Sequence, residues 1–101
     1  MNESFIEYAQ KYPKQYAIAS SELCIKLLEK LSKSGATIDE IKKLNEFHMV
    51  ELMDLKLLLN MLVGIKLLAV EDIGPKEIYY SGDFINEFLK EYYKTKKNYD
   101  I

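Results

Sequence analysis

The densest apolar stretch of the chain lies between Glu51 and Tyr80. Leu55, Leu58, Leu59, Leu62 and Ile65 share one side at 3.6 residues per turn, which predicts a helix from Leu52 to about Ile65. Leu67-Leu68-Ala69-Val70 follows directly, Ile73-Gly74-Pro75 supplies turn residues, and Glu77-Ile78-Tyr79-Tyr80 returns. That order predicts helix, strand, tight turn, strand.

Upstream, Ser4-Phe-Ile-Glu7 has the form of a capping box, and Phe5, Tyr8, Ala9 and Tyr12 form one apolar stripe before Pro13 breaks or restarts the helix. From about Tyr16 a second helix is expected, with Leu23, Cys24, Leu27, Leu28 and Leu31 inward and Gly35 as the left-handed residue that ends it. Thr37-Ile-Asp-Glu40 is a second capping box. It opens a short helix with Ile41, Leu44 and Phe47 inward and Lys42 and Lys43 outward, expected to run on to Phe47 or His48. After the hairpin, Asp83 or Ser81 can cap a last helix whose Phe84, Ile85, Phe88, Leu89, Tyr92 and Tyr93 recur in pairs. Lys94, Lys96 and Lys97 at its end suit the helix dipole, with a phosphate-binding arm as the alternative.

Composition narrows the picture. The 101 residues suffice for one domain and a modest core, so help from a partner subunit is a natural expectation. No apolar run reaches the ~18 residues of a membrane span, and the start has no secretory pattern, so the expectation is a soluble, cytoplasmic protein. A lone cysteine, Cys24, leaves no intrachain disulfide, and its place on an apolar stripe favours an inert core thiol. One histidine, His48, and four scattered glycines offer neither a ligand cluster, a nucleophile–base pair nor a phosphate-cradling loop. The chain reads as a non-enzyme without metal or cofactor. All 14 basic residues are lysine, so base readout by an arginine fork is absent, and the net charge is −2.

The segment Leu62-Val-Gly-Ile-Lys-Leu-Leu68 is similar to the Leu-x-x-x-Gly-Leu-Ile step by which winged helix-turn-helix proteins pass from recognition helix to wing. With two helices before it and a hairpin after it, the chain resembles that superfamily over residues 20–82, with extra terminal helices at about 4–12 and 84–95. Small archaeal and archaeal-virus regulators and MarR-type repressors are similar in order of elements. The spacing departs from the usual pattern by about one extra helical turn between Leu44 and Leu62.

The resemblance implies a mainly α fold with a small β-hairpin and a transcription regulator that places its third helix in the major groove of double-stranded DNA. By position it implicates Met53, Lys56, Leu57 and Asn60 on that helix, Lys42 and Lys43 on the one before, and Lys76 on the wing. Asn60 can pair with an adenine edge and Lys56 with guanine or phosphate, or both are ordinary solvated residues. The apolar stripes of the terminal helices, Phe5, Tyr8 and Tyr12 with Phe84, Phe88, Leu89, Tyr92 and Tyr93, suggest a homodimer that sets two reading helices roughly 34 Å apart. The alternative is that the two helices pack together within one chain.

A second function reading competes with the first. Residues 49–83 carry a net −3, and Met49, Met53, Leu57 and Met61 are expected to be exposed, a composition suited to a protein partner in place of DNA. The charge of the shared face discriminates. Uninterrupted lysines at 42, 43, 56 and 76 favour DNA, and intervening acids favour a protein.

Overall fold

The computed structural model describes residues 4–99. Among them lie six helices and a three-stranded antiparallel sheet: α1 Phe5–Ala9, α2 Pro13–Ala19, α3 Glu22–Leu31, β1 Ala36–Thr37, α4 Ile38–Lys42, α5 Leu52–Gly64, β2 Leu68–Ile73, β3 Lys76–Ser81 and α6 Ile85–Tyr99. The strand order is β1-β3-β2. The fold is thus mainly α with a small sheet, and among the described residues no helix is long and apolar enough to cross a membrane.

Local chemistry accounts for most helix starts. The Ser4 hydroxyl accepts from the Glu7 N–H at 3.2 Å. Pro13 occupies the first turn of α2, where its missing N–H costs nothing. The Thr37–Glu40 box closes both ways, Thr37 Oγ1 accepting from the Glu40 N–H at 3.3 Å and Glu40 Oε1 from the Thr37 N–H at 3.0 Å. Those hydrogen bonds hold the Glu40 carboxyl below its ordinary range.

Four expectations are corrected. The single helix from about Tyr16 is two, because the chain breaks at Ser20-Ser21 and the Ser21 hydroxyl caps a new start at Cys24 N–H. The resulting phase leaves Leu23 37% exposed and buries Ile25 in its place. Gly35 is not left-handed: α3 closes at Ser32, and Gly35 is needed where a Cβ would lie 3.0 Å from Ile78 Cγ2 and 3.2 Å from the Tyr79 carbonyl. That close approach comes from β1, a strand too short to show in the pattern, which pairs Ala36 with Tyr79 and Thr37 with Ile78. Finally, α4 stops at Lys42, short of the expected Phe47 or His48, and α6 runs to Tyr99, past the expected end at about residue 95.

The core is continuous. Leu27, Leu28 and Leu31 of α3, Leu55, Leu59 and Leu62 of α5, Leu68 and Tyr79 of the sheet, and Ile85 and Phe88 of α6 are all buried in one cluster. Cys24 is buried too, and burial pushes its thiol pKa up, in keeping with an unreactive side chain.

Candidate nucleic-acid interface

Helix α5 buries Leu55, Leu59 and Leu62 and half-buries Leu58, so the opposite side faces solvent. Met53, Lys56, Leu57 and Asn60 are all exposed there. The hairpin beside it is exposed from Val70 through Glu77, with Gly74 at φ 62° providing the left-handed residue of its turn. A cleft of about 180 Å³ separates the two, and Lys56 of α5 and Lys76 of β3 both line it. Two of the seven nominated residues are therefore brought to one opening.

The other lysines fare differently. Lys42 is half-buried and its ammonium donates to the carbonyls of His48, at 3.3 Å, and Val50. It points into the connection between α4 and α5 and is a staple rather than an outward charge. Lys43 is exposed. Acids also intervene. Asp39 and Glu77 line the same cleft as Lys56 and Lys76, and Lys43 and Lys76 both act electrostatically on Glu40. The face is a mixture of signs, not a lysine stripe.

Apolar groups stand beside it. Met49 is 83% exposed, Met53 72% and Leu57 64%, with Leu52 adjoining them, whereas Met61 is half-buried against the core. This patch is contiguous in sequence with the solvent-facing side of α5.

The C-terminus of α5 shows how the rest of the chain holds this helix. Leu67 N–H bonds the Leu62 carbonyl at 3.0 Å and Lys66 N–H the Val63 carbonyl at 3.0 Å, a Schellman closure. Its left-handed residue is Lys66, at φ 65°, while Gly64 lies two residues earlier inside the helix. The Lys66 ammonium lies 4.9 Å from the Tyr8 ring centroid and 5.9 Å from that of Phe84, a cation–π contact that offsets the backbone cost. Two tyrosines then cap carbonyls of the helix end: Tyr8 donates to Gly64 at 2.9 Å and buried Tyr16 to Ile65 at 2.6 Å.

Tyr16→Phe should therefore cost about 1–2 kcal/mol, the loss of a buried hydrogen bond to a carbonyl, read by urea unfolding. Burial holds the Tyr16 phenol protonated well above its ordinary 10. Its contribution is full below about pH 10 and is lost as pH rises further, because the unfolded chain ionises there and the folded chain does not. Between pH 8 and about pH 11 the native chain should lose stability more steeply than Tyr16→Phe.

The aromatic residues nominated for a dimer are largely engaged within the chain. Phe5 packs on Phe84 at 5.7 Å and on Phe88 at 6.4 Å, and Tyr8 on Phe84 at 5.1 Å and Tyr12 at 5.0 Å. Tyr8, Phe88 and Leu89 are buried, Phe5, Tyr12, Phe84 and Tyr92 half-buried. Tyr93, 44% exposed, donates to Glu29 of α3, which pushes its phenol up to about 12. The terminal helices thus pack on each other and on the core. What they leave open is Ile6, Ile18 and part of Tyr93.

A helix-rich chain with a β1-β3-β2 sheet beside its most apolar helix defines the class: mainly α, with a small antiparallel sheet. No family model and no curated protein matches it. Among solved structures, Rv0081 of M. tuberculosis is similar over 96% of this chain and 93% of that chain, with a TM-score of 0.71 at 20% identity. At that identity the likeness is one of fold.

Proposed function

We propose that the chain is a winged helix-turn-helix DNA-binding domain that regulates transcription as a homodimer. The observation that carries this reading is the joint exposure of the α5 outer side and the β2–β3 hairpin, with Lys56 and Lys76 on one cleft between them. A helix so placed can enter a major groove while the hairpin meets the backbone. Lys56 and Asn60, one turn apart, are the base-contacting groups of α5, with Asp54 also exposed on that helix, and Lys43 and Lys76 are the flanking phosphate contacts. Ile6 and Ile18 offer apolar surface for self-association near the terminal helices.

The cleft acids set the terms of binding. Asp39 and Glu77 repel phosphate, so affinity for duplex rests on few lysines and falls with salt. In a fluorescence-anisotropy titration on mixed duplex at two salt concentrations, Lys56→Glu should weaken binding by about tenfold or more, since it reverses one phosphate or base contact. The pair Asp39→Asn with Glu77→Gln should tighten it. Absence of any binding at the lower salt would overturn the DNA reading.

A second reading has its own observation. Leu52, Met53 and Leu57 of α5 and Met49 just before it are exposed apolar side chains, and the acids interrupting the lysines suit a protein surface. A chain that ignores duplex but is captured through Met53 and Leu57 belongs to this second class.

A further inference from the structure

A groove of about 440 Å³ opens between α1, α2 and α6 and shares no lining residue with the lysine cleft. That size falls within the range of small-molecule sites. Its walls are aromatic. Phe5 meets Tyr16 edge-on at 5.6 Å, and Tyr16 and Phe88 lie 5.7 Å apart at 41°. Tyr92 and Ala9 complete the apolar lining, while Ser20, Glu91, Thr95 and Lys96 contribute polar groups. The carboxylate of Glu91 and the ammonium of Lys96 cancel in formal charge, so the lining favours neither an anion nor a cation. Such a surface gains most from a flat ring that stacks among the aromatics and presents a small neutral polar group to the hydroxyls.

One of the lining residues also touches the proposed reading helix. The Tyr16 ring faces the groove, and its hydroxyl donates to the Ile65 carbonyl at the end of α5. A molecule that shifts this ring moves the donor that caps α5.

We propose that the groove binds a flat, mainly apolar, uncharged aromatic molecule, and that Tyr16 conveys its presence to the C-terminal end of α5. Binding itself stands apart from the DNA reading, on which only the regulatory sense of the coupling rests.

The test uses the full ¹⁵N-labelled chain without DNA, titrated with indole as the uncharged probe and benzoate as the charged one. Indole should give saturable amide shifts at Ser20 and Thr95 and at Ile65, Lys66 and Leu67, and benzoate should bind more weakly. Thr95→Trp, at an exposed helix position, should weaken indole by about tenfold or more by filling the mouth, and Ala9→Leu should do so from the opposite wall. Tyr16→Phe should retain indole but lose the shifts at Ile65 to Leu67. No saturable shift up to the solubility limit, shifts outside the groove, or equal affinity for benzoate would overturn the proposal. So would sedimentation showing that indole dissociates a dimer, which would give the groove to a second copy. Because no DNA is present, a failure here is distinct from a failure to bind duplex.

Discussion

Phe47→Ala should lower the unfolding free energy by about 3–5 kcal/mol, a large share of the 5–15 kcal/mol that holds a small domain folded. Phe47 is 1% exposed and is the one buried residue between Lys43 and Val50. That connection has little regular hydrogen bonding: Phe47 N–H bonds the Leu44 carbonyl at 2.9 Å and Val50 N–H the Phe47 carbonyl at 3.0 Å. The Phe47 ring is the most deeply buried anchor of this segment, with Leu44 and Val50 packing partly beside the core. Removing it opens a cavity beside the core and frees the segment from which α5 starts, so the cost exceeds that of an equal truncation within a helix. Urea unfolding should show the midpoint fall, and amide exchange at His48 to Glu51 should accelerate beyond the global change.

Gly82→Ala is expected to cost about 2–4 kcal/mol, for a different reason. A Cβ at Gly82 would stand 2.6 Å from the Lys66 carbonyl oxygen, 2.8 Å from that of Leu68 and 2.9 Å from the Leu67 carbonyl carbon. These are backbone atoms with no rotamer by which to retreat. They are also hydrogen-bonded across the same contact, Gly82 N–H to the Leu67 carbonyl at 3.0 Å and Phe84 N–H to the Lys66 carbonyl at 3.0 Å. The substitution must therefore separate the start of α6 from the end of α5. Gly64→Ala is the internal control: it meets nothing within 4 Å and lies at the end of a helix, so thermal unfolding should show no loss and a gain of up to about 1 kcal/mol. A Gly82→Ala chain as stable as the native one would mean that the two segments do not meet this closely.

These two sites differ in how far the residues announce them. Phe47 was legible as an inward residue from its spacing with Ile41 and Leu44, although the helix expected to carry it ends five residues sooner. Helix α5, both hairpin strands and the Thr37–Glu40 box were legible as well, because each is a local pattern of periodicity, turn residues or side-chain reach. Gly82 was silent, since its need arises from a backbone that passes it from fifteen residues away. The same holds for β1, a two-residue strand whose partner lies some forty residues on. Lys42 was misplaced because periodicity assigns a direction to the Cβ, whereas a four-carbon stem can turn back to reach bare carbonyls. At α3 the error was one of phase, created by the Ser20-Ser21 break that the apolar pattern alone does not mark. For the candidate interface, the exposed positions of α5 followed from spacing, and the acids beside Lys56 and Lys76 needed the fold to bring α4 and β3 together.

The two-residue strand has a mechanical corollary. Thr37 is at once the last residue of β1, paired with Ile78, and the cap of α4. No slack residue separates the sheet from that helix, and α4 also packs against β3, so sheet and α4 move as one piece. A load on the hairpin passes to the first turn of α4 through a single residue, with no hinge between them to absorb it.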